Sequence, residues 1–278
     1  MPTAAGIYYA QFDEGRKDEP PVILIHGAGG NHTVWPAEIR RLTGQRVLAV
    51  DLPGHGKSAG VAQQSITAYS KQLVEFLAAL GLYQAVFVGH SMGGAIALEL
   101  AIRHPAHVAG LGLIATGAYL GVDPGMLSNF ANPLTAPSAI LTFATRAFGP
   151  QTAPVMADRC VQMMKETRSS VLYGDWRACA DFDLRDEVMQ IEAPAWVIVG
   201  GEDRLTPLAY AHFLADRIQA AHLQVIPGAG HMVFLEQPGK VAQGLQQFCS
   251  ALAATRFAAG RVHMPSSAPV NSYQKKNV

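Results

Sequence analysis

Short runs of nearly all apolar residues recur along the chain and alternate with stretches of helical periodicity. A cluster of glycine and polar residues follows most of these runs. The runs cover residues 22–26, 46–50, 85–88, 108–114, 195–199 and 223–226. Strands that are apolar on both faces are typical of a parallel sheet covered by helices on both sides. The pattern therefore predicts an α/β fold with a mostly parallel central sheet flanked by helices. In such folds the ligand site lies at the carboxyl ends of the strands.

One segment interrupts the alternation of strands and helices. Residues 119–190 show no clear strand, and we interpret them as a helical lid inserted into a core that residues 1–118 and 191–260 form. Five of the nine methionines lie in this segment, and thioether side chains adapt to irregular apolar shapes. Residues 261–278 are rich in Ser, Pro, Asn and Lys, which predicts a flexible tail.

Composition excludes several classes of function. The formal net charge is zero, so no basic surplus favours nucleic acid or an anionic membrane. No apolar stretch reaches the ~18 residues that a membrane-spanning helix needs. The N-terminus lacks the charged start and apolar run of a secretory signal, and three cysteines make no disulfide framework. We predict a cytoplasmic protein whose cysteines are small buried hydrophobic side chains.

A G-x-S-x-G motif, Gly89 to Gly93, directly follows the apolar run 85–88 and directly opens a predicted helix over residues 92–103. Such a strand–turn–helix setting exposes the serine at a sharp, strained turn, where a Cβ at either glycine would clash. The sequence predicts Ser91 as a nucleophile. The alternative is a tight turn with an incidental serine.

A serine hydroxyl needs a base to take its proton. His231 lies in a glycine loop just past the last predicted strand, and its alternative interpretation is a solvated loop residue. The other nine histidines are set aside, among them His55, in the loop after the second run, and His32, as a solvated loop residue.

The base needs an acid that fixes its tautomer. Asp203 follows the fifth run. The three residues occur in the order Ser91, Asp203, His231, which is the order expected for a nucleophile, its acid and its base when the nucleophile lies in such a strand–turn–helix motif. Glu202 is the nearest rival, and a solvated turn residue is the alternative for Asp203.

An oxyanion formed at Ser91 needs two backbone N–H donors. One is predicted to be Met92. The other is expected in the loop after the first run, where Ala28 is the choice and Gly29 the rival.

Five stretches together resemble the α/β-hydrolase superfamily, and within it the small carboxylesterases, lipases and C–C hydrolases that carry a lid. They are HGAGG at 26–30, DLPGHGKS at 51–58, GHSMGG at 89–94, GEDRLTP at 201–207 and GAGHMVFLEQP at 228–238. The resemblance implies that part of the substrate pocket lies under the insertion. Haloalkane dehalogenases and epoxide hydrolases of this fold have an aspartate where Ser91 stands, so the serine disfavours those activities.

These features predict a serine hydrolase that cleaves a small-molecule carboxylic ester, with short to medium acyl chains, through an acyl-enzyme. No metal or organic cofactor is required. One alternative is hydrolysis of a C–C bond in a diketone-like substrate by the same triad, and another is a weakly catalytic ligand-binding member of the fold. The sequence fixes no oligomeric state.

Overall fold

The computed structural model describes residues 2–13, 15–16 and 19–262 of the chain, and eight strands form one sheet within them. In chain order the strands are β1 (Thr3–Ala4), β2 (Ile7–Asp13), β3 (Val22–Ile25), β4 (Arg46–Val50), β5 (Ala85–His90), β6 (Val108–Ile114), β7 (Ala195–Gly200) and β8 (Ala221–Ile226). They lie side by side in the order β1-β2-β4-β3-β5-β6-β7-β8. Strands β3 to β8 run parallel, and β1 and β2 add an antiparallel edge. The predicted α/β fold with a mostly parallel sheet is confirmed.

Helices connect the strands. They are α1 (Ala37–Arg40), α2 (Ile66–Ala79), α3 (Met92–Arg103), α4 (Pro124–Ala131), α5 (Ala136–Ala147), α6 (Pro154–Glu166), α7 (Ser169–Ala180), α8 (Leu208–Arg217), α9 (Val233–Glu236) and α10 (Pro238–Val262). Local chemistry sets their ends. The Ser65 hydroxyl accepts a hydrogen bond from the Ala68 N–H at 3.2 Å and caps α2, and Gly81 follows that helix with φ of 65°.

Alternate residues of each parallel strand contribute to two separate cores, one on each face of the sheet. In β3, Ile23 and Ile25 belong to the core that also contains residues of α2, α3 and α8, whereas Val22 and Leu24 belong to the core that contains residues of α1 and α10. Because successive side chains of a strand point to opposite faces, a strand between two helical layers must be apolar at every position. This requirement explains the continuous apolar runs.

The order of the strands places the loop after β3 beside the turn after β5. Strand β3 has β4 on one side and β5 on the other, so the chain changes direction across the sheet at this point. In open α/β sheets the crevice at such a switch point is the usual ligand site. Residues 26–30 and Ser91 occupy the two sides of this crevice.

Helices α4 to α7 follow one another between β6 and β7, and we call them the insertion helices. They pack through aromatic rings: Phe130 of α4 stacks on Trp176 of α7 with ring centroids 4.9 Å apart, and Phe143 of α5 meets the same indole edge-on at 5.7 Å. An isolated antiparallel β-bridge pairs Tyr119, before α4, with Asp183, after α7. The segment 119–190 is helical as expected. Its function as a lid and the division of the chain into domains stay predictions.

Two parts of the fold differ from the sequence-based expectation. The sequence does not predict β1 and β2, because partly exposed antiparallel strands lack the continuous apolar run of their neighbours. Helix α10 extends to Val262 and so reaches into residues 261–278, the predicted tail, of which residues 263–278 lie outside the described residues. None of the helices in the described part of the chain is long and apolar enough to cross a membrane.

Candidate active site

Ser91 occupies a strained turn between β5 and α3. Its backbone has φ of 52° and ψ of −116°, which few residues with a side chain adopt. The turn is held from several sides: the Ser91 N–H donates to the Ile114 carbonyl at 2.9 Å, and the Ser91 carbonyl accepts from the Thr116 hydroxyl at 2.8 Å. The surroundings therefore fix the strained conformation and present the Ser91 hydroxyl at the carboxyl edge of the sheet.

The two glycines of the motif allow this turn to pack. A Cβ at Gly93 would overlap the backbone carbonyl of Ile25 in β3, and a Cβ at Gly89 would overlap the carbonyl of Gly93. Neither clash can be relieved by a side-chain rotation, because the atoms concerned belong to the backbone. The glycines thus bring α3 against β3, and the N-terminus of α3 points at the crevice.

His231 and Asp203 form a buried pair at the same edge of the sheet. His231 lies in the loop after β8 and Asp203 in the loop after β7, and His231 Nδ1 is 3.0 Å from Asp203 Oδ2. Both residues are buried, with 1% and 6% of their surface exposed. Glu202, the rival acid, is exposed to solvent. The order of the strands thus brings together two residues that are 28 positions apart in the sequence.

The Asp203 carboxylate is fixed by three further donors. Its Oδ1 accepts from the backbone N–H groups of Leu205 and Thr206 at 2.8 and 2.9 Å, and its Oδ2 accepts from the Thr206 hydroxyl at 2.8 Å. Burial raises the pKa of Asp203, but the attraction of His231 and these hydrogen bonds outweigh it and hold the pKa below its usual range. Asp203 is therefore an ionised acceptor for the His231 ring.

A cavity of about 70 Å³ is lined by three of the five predicted site residues, whereas Asp203 and Met92 are not among its lining residues. Ser91, His231 and Ala28 line it, and Thr206 lies beside them. The remaining walls are largely apolar and come partly from the insertion helices. They are Val34, Leu120, Val122, Phe143, Cys160, Met163, Met164, Trp176, Cys179, Leu205 and Met232, with His90 and three glycines. No Asp, Glu, Lys, Arg, Asn or Gln is among the lining residues that the structure describes.

The loop after β3 holds the peptide group between Gly27 and Ala28 in one orientation. The Gly27 carbonyl accepts hydrogen bonds from His26 Nδ1 at 2.9 Å and from the Gly30 N–H at 3.1 Å. Because a trans peptide is planar, its N–H points opposite to its carbonyl, so these bonds also fix the direction of the Ala28 N–H. The N–H of Gly29, the rival donor, is instead bonded to the carboxylate of Asp175 at 2.8 Å.

His26 is a neutral imidazole. Its Nε2 accepts the Leu52 N–H at 3.1 Å, which leaves Nδ1 to carry the proton that it donates to Gly27. Burial and then the charge of His55 lower the pKa of His26 to about 4. At neutral pH this tautomer keeps the loop in place.

The polar side chains of the site offer hydroxyl, imidazole and carboxylate groups. Among residues 2–13, 15–16 and 19–262, no group of three or more His, Cys, Asp or Glu is placed to share a metal ion. The three cysteines are free and buried, as expected, and burial raises the pKa of Cys160 to about 11.

A comparison with known families identifies the family to which the chain belongs. The sequence profile described as the alpha/beta hydrolase fold matches residues 20–238, which include Ser91, Asp203 and His231. The chain belongs to the α/β-hydrolase family. This match and the relatives below show the α/β-hydrolase fold. They also place the chain in a family of hydrolytic enzymes.

Three relatives of this α/β-hydrolase illustrate the range of the family. It is 32% identical to a dihydrolipoyllysine-residue acetyltransferase component of an acetoin cleaving system of Pseudomonas putida, over 85% of this chain and 65% of that protein. It is 28% identical to a pimeloyl-[acyl-carrier protein] methyl ester esterase of Vibrio vulnificus, over 82% of this chain and 94% of the relative. The chain is also 32% identical to the solved structure of a thermophilic esterase, with a TM-score of 0.75. The match covers 88% of this chain and 98% of the chain of that esterase.

Several polar residues of this α/β-hydrolase site were not singled out from the sequence. Thr206 contacts both Asp203 and His231, since its hydroxyl is also 3.1 Å from His231 Nδ1. The interpretation of His32 as a solvated residue is wrong, because His32 is buried and its Nδ1 is 2.8 Å from Asp51 Oδ1. His55, which the sequence does not favour as a site residue, is buried against Asp175. The partners of His32 and His55 are 19 and 120 residues away in the sequence, so no local pattern reveals them.

Proposed function

We propose that this α/β-hydrolase is a serine hydrolase that cleaves carboxylic esters of short to medium acyl chains through an acyl-enzyme. The observation that carries the proposal is the convergence on one cavity of Ser91, in its strained turn, and His231, which is bonded on its far side to Asp203. Similarity to two proteins named as esterases supports an ester as the substrate.

The hydrogen bond to Asp203 defines the role of His231. Because a carboxylate only accepts, His231 Nδ1 carries the proton in this bond, and Nε2 is left with a free electron pair. Nε2 then takes the proton of the Ser91 hydroxyl while Oγ attacks the ester carbonyl. Asp203 holds the ring in this tautomer and stabilises the imidazolium that forms.

Attack converts the carbonyl oxygen into an oxyanion. We assign the N–H groups of Ala28 and Met92 as its donors, and the N-terminus of α3 adds a favourable field. Ala28 is favoured over Gly29 because the Gly29 N–H is already bonded to Asp175. A preorganised donor of this kind stabilises the transition state more than the ground state, because the charge develops only during the reaction.

Collapse of the tetrahedral intermediate completes the first half of the reaction. The bond to the alcohol oxygen breaks, and the imidazolium of His231 protonates the leaving alkoxide. Water then enters, His231 removes one of its protons, and the hydroxyl oxygen attacks the acyl-enzyme. Collapse of this second intermediate returns the proton to Ser91 Oγ and releases the acid.

The lining of the cavity defines the class of acyl group. Its walls are mostly apolar, and no charged side chain lines it in the described residues. A charged acyl group would lose its hydration there without gaining a partner, which is costly. C–C hydrolases often carry a further polar residue near the oxyanion site, and no Asn, Gln or charged side chain is among the described residues that line the cavity. We therefore place uncharged esters ahead of diketones.

A panel of p-nitrophenyl esters from acetate to dodecanoate, assayed beside a vinylogous diketone, tests the proposal. We expect turnover of the shorter esters, and Ser91→Ala should lower kcat by about 10⁴-fold or more, as triad deletions do in other hydrolases. Ser138→Ala is the matched control, because Ser138 is an exposed residue of α5. Faster turnover of the diketone would favour C–C hydrolysis. A single slow acylation without steady state would favour a ligand-binding role.

A further inference from the structure

A buried carboxylate on the insertion helices faces the loop after β3. Asp175 of α7 has no exposed surface, and both of its oxygens accept hydrogen bonds. Oδ1 accepts from the Tyr69 hydroxyl at 2.5 Å, and Oδ2 accepts from His55 Nε2 at 2.7 Å and from the Gly29 N–H at 2.8 Å. A carboxylate is not needed to pack a helix onto an apolar body. Its three donors come instead from three separate segments of the core, after β3, after β4 and in α2.

The contact with His55 is a buried ion pair. Nδ1 of His55 is 3.1 Å from the Pro53 carbonyl and Nε2 is 2.7 Å from the Asp175 carboxylate, so both ring nitrogens face acceptors and both carry protons. Neither side chain has any exposed surface. Burial lowers the pKa of His55, but the attraction of the Asp175 carboxylate and the hydrogen bond to it outweigh burial and raise the pKa above its usual value.

The insertion helices hold both polar groups of Gly29. Asp175 accepts its N–H, and the hydroxyl of Thr167, at the end of α6, donates to its carbonyl at 3.0 Å. Gly29 has φ of 67°, and a Cβ there would come within 2.6 Å of Leu172 in α7. The conformation of the loop at this residue therefore depends on α6 and α7.

A second connection leads from Asp175 to the peptide that bears the Ala28 N–H. The rings of His55 and His26 pack with centroids 4.8 Å apart, and His26 Nδ1 bonds to the Gly27 carbonyl of that peptide. A positive charge on His55 disfavours protonation of the adjacent His26 ring. It therefore maintains the neutral tautomer that can also accept the Leu52 N–H.

We propose that Asp175 is a positioning residue that holds residues 26–30 in the geometry in which Ala28 donates to the oxyanion. Asp175 acts through Gly29 on one side and through His55 and His26 on the other. This inference rests on the proposed function. It assigns the insertion helices a part in the catalytic machinery, in addition to covering the cavity.

Positioning of an oxyanion donor has a kinetic signature that mere structural support lacks. Removing a whole donor costs about 10²- to 10³-fold in kcat in another serine hydrolase, so a misplaced donor should cost less. We expect Asp175→Asn to lower kcat for p-nitrophenyl acetate by about 10- to 100-fold while KM changes by less than about 3-fold. Asparagine keeps the size of the side chain but turns an NH₂ group toward one of the three donors.

A trifluoromethyl ketone provides the second measurement. The Ser91 oxygen adds to its carbonyl carbon, the hydroxyl proton passes to His231, and the carbonyl oxygen becomes an oxyanion in the position of the intermediate. The inhibition constant of Asp175→Asn should therefore rise by the same factor as kcat falls. Asp181→Asn is the matched control, because Asp181 ends the same helix but is exposed. It should leave both quantities at their wild-type values.

Tyr69→Phe is a second variant that tests the same proposal if Asp175→Asn does not fold. This change removes one hydrogen bond to Asp175 and keeps the buried ring, and it should lower kcat about 3- to 10-fold, again with KM little changed. Wild-type kcat and inhibition in both variants, or a rise in KM without a fall in kcat, would overturn the positioning role. Absence of ester turnover by the wild-type protein would instead overturn the proposed function itself.

Discussion

Thr206 offers a sharp test of how the acid–base pair is held. Replacing Thr206 with valine removes one hydroxyl and keeps the β-branched shape of a buried side chain. Asp203 Oδ2 then loses its 2.8 Å bond to the hydroxyl and keeps only its 3.0 Å bond to His231. Asp203 Oδ1 keeps both backbone donors.

The size of the effect follows from the charge of the acceptor. A hydrogen bond to a charged group contributes ~1.5–3 kcal/mol, so the free energy of unfolding at neutral pH should fall by about that amount. If the whole loss fell on the transition state, kcat would fall by about 10- to 100-fold, since each 1.36 kcal/mol is a factor of ten. Because two backbone donors remain on the carboxylate, we expect the lower end, about 10-fold.

Urea denaturation and steady-state hydrolysis of p-nitrophenyl acetate measure the two quantities. Thr206→Ser, which restores the hydroxyl, should recover most of the lost activity. Thr142→Val is the control for a threonine-to-valine change, because Thr142 lies on the exposed side of α5. The reasoning is refuted if Thr206→Val matches the wild type in both measurements, or if serine and valine at this position are equally impaired.

Two further predictions concern charge at the site. Asp203→Asn should lower kcat by about 10⁴-fold while Glu202→Gln stays within about 3-fold of the wild type, and the reverse order in the ester assay would mean that the acid is misassigned. His26 binds its proton less readily in the folded state than in the unfolded chain, so its contribution to stability is present above pH 6.5 and is lost as the pH falls toward its folded pKa of about 4. A difference of one pKa unit between the folded and unfolded states corresponds to about 1.36 kcal/mol. The difference in free energy of unfolding between the wild type and His26→Gln should therefore fall by ~3 kcal/mol between pH 6.5 and pH 4. A gap in unfolding free energy that stays constant with pH would show that the ring is not held neutral.

The parallel part of the fold could be predicted because burial on both faces leaves a mark on the sequence. Strands β3 to β7 are almost wholly buried and overlap their apolar runs, and α3 begins and ends at the predicted residues. Strand β8 also overlaps its run, although most of its residues are partly exposed or exposed. Strand β2 could not be predicted in this way. It pairs with β4 on one side and only with the two residues of β1 on the other, and partly exposed side chains such as Tyr9 interrupt the apolar pattern.

The candidate site likewise contains residues that the sequence predicts and residues that it does not. Ser91 follows β5 directly, and Asp203 and His231 lie in the loops after β7 and β8. A parallel sheet gathers such positions at one edge, so their order in the chain is informative. Asp175 gave no such signal, because a carboxylate in the middle of a helix is normally solvated. Its donors are 106, 120 and 146 residues away in the sequence, and only the folded insertion brings them to it.

Reaction with a fluorophosphonate, followed by peptide mapping, tests the central proposal most directly. The serine oxygen must displace fluoride at phosphorus, which requires the same activation by His231 as attack on an ester. The proposal predicts one label per chain, located on Ser91, with labelling abolished in Ser91→Ala and strongly slowed in Asp203→Asn. A label on another residue, or equal labelling of the wild type and Ser91→Ala, would contradict the assignment of Ser91 as the nucleophile.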